Sequence, residues 1–463
     1  MRHPPITLRL TARWLACAVA LLPLAALAAL AAPAGAATWR LEPIPDSTGV
    51  AELHELTFDA RGHGLLSWNG AHRERTPPVF GGLAARDPTG GWQRPTDLRG
   101  IQPANMRIHL TASVSALLVA REARSATSRR RLIIAEGQSD GGFDAFGSLD
   151  DFAVDHWSAA NDRGDAIVAW TAERSPFVRV AERVAGGRFG PLREMAVGKT
   201  AAVAINARGD SALVWRAGVR LAGRVRRAGG EWSRTVRFGP RRTIQGLRLS
   251  VLVARNGRVV ATWGSPGRPC GVSVRDGGGA WRSHTLERRC GPTGVATRRA
   301  PVLPIADSRG ATYVAWTGTA RSGRRAVKLA RVGAGGSDGV VASRRALVLS
   351  RERGAVLDDA AADANGALAI TYSAPRPTAA RPLLHATFAA LRRRGRSGGA
   401  FGRPDRLTPG NVFAARGSRV AFQPLTGEPV VALPFLAART VAVAAAVGPP
   451  ASNPSNRSNR SDR

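Results

Sequence analysis

Acidic residues are scarce in this chain. Thirty-three Asp and Glu stand against 67 Lys and Arg, a formal charge of +34 at pH 7. A field of that sign attracts polyanions. Lysine is scarcer still: only Lys199 and Lys328 occur, so the other 65 basic residues are arginine. With abundant Ala, Gly and Pro, this resembles the codon bias of a GC-rich bacterial genome, which accounts for arginine over lysine but not for the shortage of acids. Cysteine is limited to Cys17, Cys270 and Cys290. There is no Cys-x-x-Cys and no His beside Cys270 or Cys290, which argues against structural zinc. The eight histidines are scattered singly and form no His-Glu-x-x-His. No metal and no cofactor is therefore expected. Tyrosine occurs twice, as Tyr313 and Tyr372.

Long apolar runs are also missing, with one exception. "LACAVALLPLAALAALAA" follows Arg2, Arg9 and Arg13 and precedes "APAGAA", which offers Ala34 and Ala36 for an A-x-A cleavage. This predicts a secretory signal peptide over residues 1–36. A membrane anchor is the alternative, but the run is short, rich in Ala, broken by Pro23 and ended by a cleavage-like site. Cys17 lies early in the run, and "WLAC" is a poor fit to a lipoprotein signal. The mature chain is expected to be secreted or associated with the cell envelope, to have no further span, and to carry 64 − 33 = +31 charges. In an oxidising compartment Cys270 and Cys290, twenty positions apart, are expected to form a disulfide.

What is present is a repeat. "DARGHGLLSW" (59–68), "NDRGDAIVAW" (161–170), "NARGDSALVW" (206–215), "ARNGRVVATW" (254–263), "DSRGATYVAW" (307–316) and "DANGALAITY" (363–372) repeat one pattern, an Asx-x-x-Gly turn in all but the fourth, where Ala254 takes the first position. A degenerate copy, "TASVSALLVAR" (111–121), places Ser115 at the glycine, and a worn eighth copy, "PLTGEPVVALP" (424–434), surrounds Gly427. Each unit reads as a short apolar strand, the turn, a second strand, a variable loop, a third strand, a Gly-rich turn and a fourth strand. Four antiparallel strands per period of 45 to 60 residues predict a β-propeller. The expected fold is all-β: one domain, 37–448, of eight four-stranded blades, with the mature N-terminal strand "TWRLEPI" (38–44) completing the last blade. Seven blades plus a C-terminal hairpin is the alternative. Residues 449–463 are polar and repetitive, and read as a disordered tail.

On these repeats the chain resembles the broad group of secreted bacterial propellers that includes sialidase-like and WD40-like proteins. The sialidase Asp-box, Ser-x-Asp-x-Gly-x-Thr-Trp, is not reproduced, because here Asx and Gly are three apart and the aromatic follows six after the glycine. A sialidase-like activity would imply a Tyr nucleophile with a Glu partner, a catalytic Asp and three carboxylate-gripping arginines. Tyr372 occupies the repeat's Trp slot and Tyr313 lies within a second strand, so both have structural explanations, and no catalytic residues are assigned. "SDGGFDAFGSLDD" (139–151) resembles a calcium loop but aligns with the third turn and fourth strand of its unit. The tryptophans beyond residue 36 fall at repeat positions, except Trp157, and read as blade packing.

The non-repeating feature is arginine in the loops between second and third strands. In propellers these loops share a face with the links between blades, opposite the tight turns. They hold Arg73, Arg75, Arg121, Arg124, Arg129, Arg130, Arg131, Arg174, Arg216, Arg220, Arg268, Arg321, Arg324, Arg325, Arg376 and Arg381. Guanidinium forks suit carboxylate, sulfate and phosphate. The expectation is a non-catalytic binding or scaffold propeller with a basic face for an anionic polysaccharide, a cell-wall polyanion or extracellular DNA. No motif for sequence-specific nucleic-acid reading is present. A glycan-active enzyme, hydrolase or lyase, on the same scaffold is the second reading. Arg-Gly-Asp at 163–165 and 208–210 reads as a turn rather than a receptor signal.

Overall fold

Each repeat is organised by a turn that its own first side chain builds. Asn161 Oδ1 accepts the amides of Arg163 and Asp165 at 3.1 and 3.0 Å, and Gly164 takes a φ of +95°, a conformation that favours glycine. Asp59, Asn206, Asp307 and Asp363 close the same turn with their carboxylate or amide oxygens. In the degenerate copy Thr111 N donates to Ser115 O as Asn161 N does to Asp165 O. Ser115 therefore occupies the position after the glycine, not the glycine position the sequence alignment gave it.

A computed structural model describes residues 39–47, 50–71, 79–94, 96–98, 101–111, 115–122, 131–241, 245–291, 301–320, 322–333, 346–375, 385–393, 401–408, 417–437 and 440–449. The chain divides into Met1–Trp39 and Arg40–Arg463, and the second unit holds the strands. The expected signal peptide lies outside the described residues, as does the tail from residue 450 onward.

Among the described residues the hairpins assemble into eight four-stranded antiparallel sheets, the blades of a β-propeller. Blades 1 to 7 occupy 50–98, 101–150, 153–197, 201–238, 248–287, 302–348 and 356–406. Each runs in chain order from its first to its fourth strand. Blade 8 combines Arg419–Phe422, Pro429–Ala437 and Thr440–Val447 with the N-terminal strand Arg40–Pro43. Arg40 lies opposite Val447 and Pro43 opposite Ala444. The two ends of the propeller therefore close one blade, which sets aside the seven-blade alternative.

Second strands lie between neighbouring sheets and are apolar on both faces; every residue of Ala166–Ala172 is buried. Five of them carry the repeat's tryptophan, Trp68, Trp170, Trp215, Trp263 and Trp316, each 2% exposed or less. The scarce acids serve this packing. Asp150, ending blade 2, accepts Trp170 Nε1 of blade 3 at 2.6 Å and Arg179 Nη1 at 2.8 Å. Glu287 of blade 5 accepts Trp316 Nε1 and Lys328 Nζ of blade 6. Glu352, in the following link, accepts the Tyr372 hydroxyl of blade 7 at 2.7 Å. At these three junctions an acid at the end of one blade, or in the link after it, caps the aromatic slot of the next. Burial pushes the Asp150 carboxyl up, but bonds from Trp170, the Phe152 amide and Arg179 outweigh it and hold the group below the usual carboxylate range.

First strands converge on a central channel, lined by Glu55, His109, Trp157, Val203, Leu252 and Asp359 among others. Trp157, the one tryptophan among the described residues without a repeat slot, is a channel residue. The ring closes through Arg419, which is 1% exposed. Its Nε and Nη2 donate to His54 O and Leu53 O of blade 1 at 2.8 and 2.7 Å.

Candidate functional site

Four antiparallel strands in chain order put the first and third turns at one end of every blade. The second-to-third-strand loops and the interblade links lie at the other end. On this loop face, between blades 5, 6 and 7, lies a cavity of about 750 Å³. Arg289 reaches it from the link leaving blade 5, Arg324 and Arg325 from the loop of blade 6, and Arg353 from the link to blade 7. All four are exposed. Gly267, Gly291, Gly318, Gly323 and Gly354 supply much of the remaining wall, and no carboxylate lines the cavity among the described residues. Small residues leave the backbone open to a ligand while the guanidinium forks converge from three chain segments. Such a set binds anions by charge-assisted, bidentate hydrogen bonds.

The expected disulfide joins Cys270 to Cys290 with Cα atoms 5.8 Å apart. It crosslinks the start of the third strand of blade 5 to the link that carries Arg289. Gly267 N donates to Cys290 O and Cys290 N to Arg268 O, so the crosslinked loop forms one wall of the cavity. Replacing both cysteines by alanine is expected to lower the unfolding free energy by about 3 kcal/mol, read from denaturant melts. Affinity for an anion should fall with it, because the segment holding Arg289 loses its anchor.

The other arginines picked from the sequence meet different fates. Arg121 is buried and donates to Val154 O, serving the junction of blades 2 and 3. Arg131 pairs with Asp151 at 3.3 Å, and Arg216 Nε donates to Gly218 O at 3.1 Å. Arg220 is half-buried, and Arg174 and Arg268 are exposed. Arg73, Arg75, Arg124, Arg129, Arg130, Arg321, Arg376 and Arg381 lie outside the described residues. Of the described set, the structure brings only Arg324 and Arg325 together in the cavity, and adds Arg289 and Arg353. These two sit in interblade links, which share the loop face. The signal for them was present in "ERRCG" and "RERG", flanking the disulfide and the seventh unit.

The channel is the second concave feature. Glu55 pairs with Arg107 at 3.0 Å, His109 Nε2 lies 2.8 Å from Ser158 Oγ, and Asp359 accepts the Val420 amide at 3.1 Å. Both of these channel carboxylates are engaged in holding the inner strands. Burial pushes His109 down to about 4, with Arg107 and Arg183 adding to the shift and Glu55 opposing it. Burial pushes Asp358, within blade 7, up to about 6 against hydrogen bonds from Ser373 and Ser418.

These two groups make opposite pH dependences. A histidine with a lowered folded-state pKa stays neutral while the unfolded chain takes up a proton, so its contribution rises from about pH 4 to 6.5. A carboxyl with a raised folded-state pKa keeps its proton while the unfolded chain loses it, so its contribution falls from about pH 4 to 6. Each amounts to roughly 3 kcal/mol, so the slopes nearly cancel. Replacing His109 with Gln should make stability rise less, or fall more, with pH across that window than it does in the unsubstituted protein. Replacing Asp358 with Asn should change the slope in the opposite direction. Chemical denaturation at four or five pH values reads both.

The Asx turns explain Arg-Gly-Asp. Asp165 Oδ2 accepts Asn161 Nδ2 and Arg163 Nη2, and Oδ1 accepts Ala185 N. Asp210 repeats the pattern with Asn206 Nδ2 and Ala228 N. Each aspartate ties the first turn of its blade to the third.

No family model and no curated protein matches this sequence. Among solved structures, the chain is similar to AofleA from Arthrobotrys oligospora, at 11% identity and TM-score 0.38 over 69% of this chain and 92% of that one. It is also similar to the β-propeller domain of the Trilobed protease from Pyrococcus furiosus, at 10% identity and TM-score 0.43 over 75% and 96%. A third similarity is to the intramolecular trans-sialidase from Ruminococcus gnavus, at 13% identity and TM-score 0.35 over 86% and 94%.

Proposed function

We propose that this chain is a secreted binding propeller whose loop face holds an anionic polymer, through the cavity formed by Arg289, Arg324, Arg325 and Arg353. The observation that carries this reading is the convergence of four exposed arginines from three chain segments on one cavity with no acid in its described wall. The wider field supports it, since the chain carries +34 and several of its acids are spent between blades on tryptophan, tyrosine and arginine partners. Export is supported by the N-terminal apolar run and by the Cys270–Cys290 disulfide. Binding rather than catalysis is favoured because the channel carboxylates Glu55 and Asp359 are engaged by Arg107 and the Val420 amide.

The test is equilibrium binding of the protein to polyphosphate, a sulfated polysaccharide and a polyuronate over a range of salt concentrations. Affinity for at least one should be measurable at low salt and fall linearly on a log–log plot, as it does when counterions are released from a polyanion. No binding to any of the three at low salt would contradict the reading.

A further inference from the structure

We propose that the turn face carries a second, separate anion site between blades 4 and 5, for a phosphoryl or sulfuryl group. A cavity of about 730 Å³ lies there, lined by Arg208, Arg226, Arg227 and Arg275, with Asp210 and Glu231 as its acids. It lies at the opposite end of the strands from the loop-face cavity. Arg208 comes from the first turn of blade 4, Arg226 and Arg227 from the end of its third strand, and Arg275 from the third strand of blade 5. The second Arg-Gly-Asp therefore does contribute to a site, but through its arginine. Asp210 is committed to Asn206 Nδ2 and Ala228 N, which leaves the cationic side in excess.

Two of these arginines present donors that the protein leaves unanswered. Arg275 Nε donates to Gly279 O at 3.0 Å, while its Nη1 is buried with no hydrogen-bond partner. Arg226 Nη1 pairs with Glu182 at 2.8 Å and its guanidinium stacks over Trp232, while its Nε is buried and likewise without a partner. Buried donors without acceptors are costly, and burial also pulls the Arg275 guanidinium below its ordinary range. An anion in the cavity would meet the exposed Arg208 and Arg227 directly, and its charge would offset the cost of the buried Arg226 and Arg275 groups beside it. Guanidinium groups arriving from three chain segments match the several equivalent oxygens of a tetrahedral group better than the two of a carboxylate.

Calorimetric titration with inorganic pyrophosphate, and separately with sulfate and malonate, tests this site apart from the loop face. Arg208 and Arg227 are exposed, so Arg208→Glu with Arg227→Glu should leave the fold intact, checked by an unchanged circular dichroism spectrum and melting temperature. The wild type should bind two equivalents of pyrophosphate or sulfate, and this double variant one. Arg324→Glu with Arg353→Glu should remove the other equivalent. One wild-type equivalent that only the turn-face variant abolishes would uphold this site and sink the loop-face reading. Titration unchanged by the turn-face variant, or no binding by the wild type, would overturn it. Malonate binding as tightly as pyrophosphate and sulfate would overturn the tetrahedral assignment.

Discussion

Replacing Arg419 with Met should lower the unfolding free energy by roughly 3–5 kcal/mol, as much as truncating one of the buried tryptophans. The side chain is 1% exposed and donates to Leu53 O, His54 O and Ser418 O at 2.7, 2.8 and 3.1 Å. The first two carbonyls belong to blade 1 and the third to blade 8, so one guanidinium fastens the end of the ring to its beginning. Without it, buried acceptors lose their charged donor. Asp358, whose ionised form Arg419 stabilises, loses its nearby cation as well. Arg419→Lys should restore only part of the loss, since a single ammonium lacks the planar fork that reaches several carbonyls. Urea denaturation followed by tryptophan fluorescence measures both variants. A loss below about 1 kcal/mol for Arg419→Met would show that closure rests on the Arg40–Pro43 strand pairing alone.

The blade count and the closure were legible because both follow from local chemistry. Asn161, Asn206, Asp307 and Asp363 each build their own turn, so the turn recurs in sequence wherever it recurs in space, and "TWRLEPI" reads as the missing fourth strand. Thr111 was harder. It replaces the Asx amide oxygen with a hydroxyl, so the sequence pattern alone puts the register of its unit one residue off, with Ser115 at the glycine.

The interblade acids were not legible. Asp150 ends a strand, Glu287 ends another and Glu352 sits in a link. Their partners Trp170, Trp316 and Tyr372 lie 20 to 29 positions onward, so no fixed spacing exposes the device. The loop-face cavity was half legible. Arg324 and Arg325 lie in a second-to-third-strand loop, whose place on one face follows from the repeat. Arg289 and Arg353 lie in links whose lengths vary, and only the folded ring brings them alongside. Composition alone could not separate these four arginines from the rest, because an arginine such as Arg121 buried under Val154 O looks the same in sequence as one that faces a cavity.

Under the proposed function the loop-face cavity, and not the overall charge, holds the anionic polymer. Arg289, Arg324 and Arg353 changed together to Glu alter the net charge by the same amount as Arg193, Arg234 and Arg237 changed together to Glu. The second set is exposed on the outer edges of blades 3 and 4 and lines neither the loop-face nor the turn-face cavity. At about 0.15 M salt the screening length is about 8 Å, so the outer set acts on a bound polymer mainly through a weakened field. The cavity set, in contrast, removes charge-assisted hydrogen bonds and adds three repulsive carboxylates. Affinity for the best-bound polyanion should fall at least a hundredfold for the cavity variant, close to 3 kcal/mol, and no more than a few-fold for the outer variant. Measured side by side by fluorescence anisotropy, losses of that unequal size are the predicted result. Equal losses in the two variants would contradict the claim and reduce the arginines to a uniformly basic surface.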